Sequence, residues 1–119
     1  VASGVFYFLD ADRVGALVDA MARCFPGGRL VYDAESPELV AKSEQAVRDR
    51  GLDAAPMPFR EPDPYAPRSW SGAVARVRVN FDLSSYAPDP AALPQSVRDG
   101  FAAMKAGRDL YEVVVDFAG

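Results

Sequence analysis

Val1-Ala2-Ser3-Gly4-Val5-Phe6-Tyr7-Phe8-Leu9 is apolar from its first residue and rich in β-branched and aromatic side chains. A short run that is apolar on both faces predicts a strand covered by helices on each side of a sheet. Free termini are usually polar and loosely held, so a strand beginning at residue 1 reads as the back part of a larger α/β domain. In doubly wound nucleotide-binding folds the Gly-rich phosphate or adenosyl loop follows the first strand. These 119 residues contain no such loop.

Working outward, Asp10 and Asp12 supply N-cap oxygens, and Val14, Leu17, Val18, Met21 and Phe25 follow at helical spacing. Pro26-Gly27-Gly28 stops that helix. Arg29-Leu30-Val31-Tyr32-Asp33 is a compact strand, and Ser36-Pro37-Glu38 offers an N-cap with proline at the first helical position. Leu39, Val40, Ser43, Ala46 and Val47 line one face of the second helix, which Gly51 closes. Strand, helix, strand, helix at this spacing predicts a parallel sheet with right-handed crossovers.

From Ala54 to Gly72 the pattern breaks. Five of the ten prolines (Pro56, Pro58, Pro62, Pro64 and Pro67) fall here, among Phe59, Tyr65 and Trp70. Such a segment is expected to be a long ordered loop packed over the sheet, of the kind that forms a lid or a substrate wall. Beyond it Ala75, Val77, Val79, Phe81 and Leu83 alternate with Arg76, Arg78, Asn80 and Asp82, the period of a half-exposed strand. A short helix with Val97, Phe101 and Met104 on one face ends near Gly107. Leu110 to Phe117 closes the chain with Tyr111, Val113, Val115 and Phe117 on one side. Two alternating strands this late suit an antiparallel pair at a sheet edge.

Composition narrows the function classes. The chain is long enough for one small core. Its 13 basic and 17 acidic residues are interspersed and leave a net charge of -4, so no basic stripe is available to displace counterions from nucleic acid. Without histidine, neither a Ser-His-Asp nor a Cys-His nucleophile can be assembled, and the usual nitrogen ligands for zinc are missing. The single cysteine, Cys24, rules out an internal disulfide and fits a reducing compartment. With no apolar run near the ~20 residues of a spanning helix and no export signal, the expected location is the cytoplasm, away from membranes.

Several stretches together resemble the C-terminal half of a class I S-adenosylmethionine-dependent methyltransferase. More narrowly, they resemble the branch containing leucine carboxyl methyltransferases and polyketide-synthesis O-methyltransferases. The residues are Ser3-Gly4-Val5-Phe6-Tyr7-Phe8-Leu9, Phe25-Pro26-Gly27-Gly28-Arg29-Leu30-Val31-Tyr32-Asp33 and Ser36-Pro37, supported by Pro58-Phe59-Arg60, Asp63-Pro64, Trp70 and Tyr111-Glu112-Val113-Val114. The resemblance implies a Rossmann-like sheet in the order three, two, one, four, five, seven, six, with strand seven antiparallel. Val1 to Leu9 is then strand four, Arg29 to Asp33 strand five, Ala75 to Leu83 strand six and Leu110 to Phe117 strand seven. Residues 1–119 form a single partial domain, the substrate-side half, with the cofactor loop and the ribose-binding acid upstream.

The resemblance also implies roles. The turn after strand four lies beside methyl donor and acceptor, making Ser3, Gly4 and Val5 candidates for S-adenosyl-L-methionine and Tyr7 and Phe8 candidates for substrate. Where the family commonly reads Glu-Gly-Val-x-x-Tyr-Leu, this chain has Ser3 and Phe8, with a tyrosine one residue earlier at Tyr7. Phe59, Tyr65 and Trp70 either wall an aromatic acceptor or anchor the proline-rich loop; Tyr7 and Phe8 either face substrate or pack in the core. Asp33 is read as a cap for the next helix in preference to a ligand contact. Cys24 is read as a small buried hydrophobe and Arg76 and Arg78 as a solvated strand face.

Three functions follow as expectations. The first is part of an O-methyltransferase acting on a small-molecule hydroxyl or carboxylate, with the isolated chain inactive and binding cofactor weakly. Methyl transfer relies on in-line positioning of two bound reactants, so it needs no histidine base. The second is a non-catalytic module pairing through an open sheet edge, with itself as a homodimer or with a missing N-terminal half. The third is a small ligand-binding domain that uses the aromatic loop.

Overall fold

The computed structural model describes residues 1–51 and 56–119. The first two residues of the proline-rich segment, Ala54 and Ala55, lie outside the described residues. The elements in chain order are α1 (Ala11–Cys24), β1 (Arg29–Glu35), α2 (Pro37–Asp49), α3 (Pro67–Trp70), β2 (Val74–Asn80), α4 (Gln95–Gly107) and β3 (Leu110–Phe117). The strands form a three-stranded sheet in the order β1-β3-β2, and β3 runs antiparallel to both neighbours. The late antiparallel pair expected from the alternating segments is therefore present, whereas the parallel sheet expected of the first half is, among the described residues, reduced to the single Ala2–Tyr32 bridge.

The first nine residues do not form the expected strand. Ala2 makes an isolated parallel bridge to Tyr32 of β1, and its N–H donates to the Val31 carbonyl at 2.8 Å. Gly4 then turns the chain in the left-handed region at φ 66°, a conformation glycine adopts without steric cost. Phe6–Phe8 coil into a 3-10 turn. The apolar run is a hook that drives Phe6 and Tyr7 into the interior while Phe8 stays half exposed, at 52%.

The helix starts follow the sequence. Asp10 caps α1 by accepting from the Arg13 N–H, and Ser36 caps α2 by accepting from Leu39, with Pro37 in the first turn. Along α1 the buried stripe is Val14, Val18 and Ala22. Leu17 and Phe25, expected on the core face, point outward, as does Cys24, which corrects its reading as a buried hydrophobe. The reason is local: α1 packs along a narrow four-residue stripe, and Gly15 beside that stripe carries the Trp70 ring at contact distance, 3.4 Å from where a Cβ would lie. Met21 is only partly buried.

One sheet face supplies most of the core. Leu30, Tyr32 and Ala34 from β1 and Tyr111, Val113, Val115 and Phe117 from β3 are buried there with the α1 stripe, Phe6 and Phe59. Removing apolar surface from water is the main stabilising term, at roughly 25 cal/mol per Å². On β2 a register shift between Val74 and Arg76 turns Val74 toward this core and leaves Ala75, expected inside, exposed. Phe81 lies past the strand end and packs its ring 5.3 Å from that of Tyr111. Leu83, assigned by its spacing to the strand, sits in a separate 3-10 turn (Leu83–Tyr86).

On the other face Asp116 of β3 accepts from Arg29 of β1 at 2.6 Å and from Arg78 of β2 at 3.1 Å, linking all three strands. Arg76 is exposed and Arg78 half-buried. On α2, Val40 is fully buried but Ala46 is exposed. Val97 and Met104 of α4 are exposed and Phe101 half-buried, so this helix has no fully buried residue. Among the described residues no helix is long and apolar enough to cross a membrane.

Candidate functional site

β1 delivers Asp33 near its carboxyl end, on the face opposite Tyr32 and Ala34. One carboxylate oxygen accepts from the Gly4 N–H at 2.7 Å and the other from the Tyr7 hydroxyl at 3.0 Å. The helix cap that the sequence suggested for Asp33 belongs instead to Ser36. Its carboxylate has two oxygens for two donors and holds the whole N-terminal hook against β1. Burial, then the Asp33 charge and hydrogen bond, push the Tyr7 phenol far above the ordinary tyrosine range. Burial also raises Glu35, whose carboxylate accepts from Ser43.

Ser3, Gly4 and Val5, the candidates for the methyl donor, are exposed at this knot. A small recess of about 90 Å³ lies beside it, between Ser3, Asp33 and Glu112. The substrate candidates separate into two groups. Phe59 is buried and Trp70 packs partly buried against it, with ring centroids 6.4 Å apart, and Phe6 bridges Phe59 at 6.3 Å to Tyr32 at 4.8 Å. The Phe59 N–H donates to the Tyr7 carbonyl, so these aromatics tether the proline-rich loop to the hook. Tyr65 is half-buried and lines the larger cleft described next.

That cleft, about 470 Å³, opens where β1 ends, α2 begins and β3 starts. Ser36, Pro37 and Glu38 form one wall, and Pro62, Asp63, Pro64 and Tyr65 another. Gly107, Arg108 and Tyr111 complete it. Its position is the usual one for ligands in open α/β sheets, outside the carboxyl ends of strands. Register fixes the geometry, since Tyr111 pairs with Ala34 and Leu110 with Glu35. Ser36 is clamped from β3's side: its N–H donates to the Asp109 carbonyl at 2.7 Å and its hydroxyl to the Asp109 carboxylate at 2.9 Å.

Arg108 adopts the left-handed region at φ 53°, which turns its guanidinium over the Phe81 ring at 4.3 Å from the centroid. Tyr111 is 3% exposed, and burial followed by the charges of Glu61 and Asp63 pushes its phenol up to about 12. A phenol in that range is a hydrogen-bond donor at neutral pH, never a base.

Sequence reasoning missed Tyr111 and Arg108 as site residues. The signal for Tyr111 was a tyrosine in the inward set at the mouth of the last strand; Arg108 depends on a backbone turn that nothing in the sequence announces. Among the described residues no cluster of three or more Cys, Asp or Glu is arranged to hold a metal ion. The chain matches no protein-family model, no curated protein and no solved structure.

Proposed function

We propose that these residues form the substrate-side half of an S-adenosylmethionine-dependent O-methyltransferase with a Rossmann-like sheet. One observation carries the reading, the strand order. The Ala2 bridge lies parallel to β1, β1 pairs with β3, and β3 runs antiparallel between β1 and β2. β1, β3 and β2 repeat the order and directions of five, seven and six in the methyltransferase sheet that the quoted residues resemble, and the Ala2 bridge lies on the side of β1 where strand four would pair. The exposed Ser3-Gly4-Val5 turn, held by Asp33, then lies where the donor would meet this half, and the cleft beside Tyr65 lies where an acceptor would enter. A Gly-rich adenosyl loop is absent from the sequence, so cofactor affinity from these residues alone is weak.

The test is ultraviolet cross-linking of isotope-labelled S-adenosylmethionine followed by peptide mapping. Label in the fragment from Val1 to Arg13, competed by S-adenosylhomocysteine, supports the reading. Label elsewhere, or none that is competed, contradicts it.

A second reading, a module that pairs through a sheet edge, is favoured by the outer edge of β1. Among the described residues that edge carries one bridge, at Ala2, and unpaired strand edges invite another chain. Concentration-dependent sedimentation supports this alternative, and a monomer at all concentrations removes it.

A further inference from the structure

We infer that the Asp116 end of the outer sheet face is a docking surface for an acidic protein segment, whose carboxylates are received by Arg29, Arg76 and Arg78. Three observations carry this assignment. First, register gathers the three guanidiniums. Arg29 of β1 and Arg76 of β2 both pair with Asp116 of β3, and Arg78 follows two residues along β2 on the same face. One carboxylate among three guanidiniums leaves a positive patch on a chain whose net charge is -4.

Second, these guanidiniums are held in place but not used up. Arg29 donates to Asp116 through Nε alone, and Arg78 through one terminal nitrogen. The Arg78 Nε is buried and has no partner among the described residues. Arg76 is exposed, and among the described residues it makes no ion pair. A buried N–H on a charged group is costly to leave unmade. A carboxylate laid beside Asp116 would draw the Arg78 fork round, so that Nε and a terminal N–H meet one acceptor in the two-pronged geometry that guanidinium and carboxylate share.

Third, the patch is open and flat. The protein is 19 Å thick along its short axis, room for the sheet and one layer of helix. That layer, α1 with Trp70 of α3, packs on the core face. The Arg29 and Arg78 side chains keep 59% and 41% of their surface in solvent. Small molecules bind in concave pockets that enclose them, whereas a flat charged patch suits a chain segment laid across it. A long polyanion such as nucleic acid would also meet the negative charge of the rest of the chain, while a short acidic segment need touch only the patch. The assignment concerns this face alone and does not depend on methyl transfer.

The experiment is a titration of the protein, arginine Nε isotope-labelled, with hexaglutamate, hexaglutamine, inorganic phosphate and oligothymidylate at matched ionic strength. Expected are saturable hexaglutamate-induced shifts of the Arg29, Arg76 and Arg78 signals, reversed by added salt as the screening length shortens, and no response to hexaglutamine. Arg76→Gln, which breaks no ion pair within the described residues, should weaken hexaglutamate binding about two- to fivefold, the loss of one exposed charge contact. Arg23→Gln, on the helix layer, removes the same charge and should leave binding unchanged. Oligothymidylate binding as tightly as hexaglutamate, phosphate reproducing the shifts at the same concentration, Arg76→Gln binding no more weakly than Arg23→Gln, or unmoved arginine signals would each overturn the assignment. Because no methyl donor is used, none of these outcomes bears on cross-linking at Val1 to Arg13.

Discussion

The Tyr7 hydroxyl donates to the Asp33 carboxylate at 3.0 Å across 26 residues of sequence, while the Gly4 N–H occupies the other oxygen at 2.7 Å. That pair fixes the N-terminal hook and the Ser3-Gly4-Val5 turn, and the Tyr7 carbonyl in turn holds the proline-rich loop at Phe59.

Asp33→Ala should therefore release two donors at once. A part-buried donor left unsatisfied costs ~1–3 kcal/mol, and the Asp33→Ala loss measured by urea denaturation should lie in that range. Tyr7→Phe, which keeps the ring, should cost only about 1 kcal/mol. In a double-mutant cycle the two should be coupled, since they share a hydrogen bond; simple additivity would show that the contact contributes nothing to stability.

The α1 stripe makes a sharp contrast between neighbours. Val14 is fully buried and Leu17 is 41% exposed. Val14→Ala deletes two buried carbons and leaves a cavity, so it should destabilise by about 2–3 kcal/mol. Leu17→Ala should stay within ~0.5 kcal/mol. Thermal or urea unfolding of the two variants distinguishes this stripe from the broader one that helical spacing suggests.

Tyr111 gives stability a dependence on alkaline pH. Its folded-state pKa of about 12 lies above the value of an unfolded tyrosine, roughly 10. In the interval between them the native state holds the proton and the unfolded state releases it, so stability falls as pH rises through that window. An absorbance titration should show a phenolate component near pH 12, ahead of the still later Tyr7 and Tyr32, that disappears in Tyr111→Phe.

Asp116 works at the opposite end of the pH scale. Its hydrogen bond from Arg29 leads the causes that hold the carboxyl below the ordinary aspartate range, with Arg78 contributing. The stabilisation is present above the unfolded pKa and is lost as pH falls through the lower folded value. Asp116→Asn should flatten the acid limb of the stability profile, and added salt should weaken the same contribution because the pair is partly solvated.

Much of the fold was legible before the structure. Ser36-Pro37 announced α2, and the alternation from Leu110 to Phe117 gave β3 its bounds and its buried face. The hook was not, because Val1 to Leu9 is as apolar as a buried strand; what bends it is Gly4 together with an aspartate 29 residues away, a long-range partner that periodicity cannot reveal. The exposed Ala75 has the same kind of origin, a register shift set by pairing with β3. In the site, Tyr65 was legible because prolines and aromatics rarely cluster in free linkers. Arg108 was hidden in a left-handed turn usually given to glycine, and Tyr111 in a strand pattern that core packing alone would explain.

The reading of these residues as the substrate half of a methyltransferase is tested most directly by amide chemical shifts during titration with S-adenosylhomocysteine. The account predicts weak, saturable shifts centred on Ser3, Gly4 and Val5 and reaching Asp33. Unmoved amides at those positions under saturating ligand, or tight binding centred elsewhere in the chain, would contradict it.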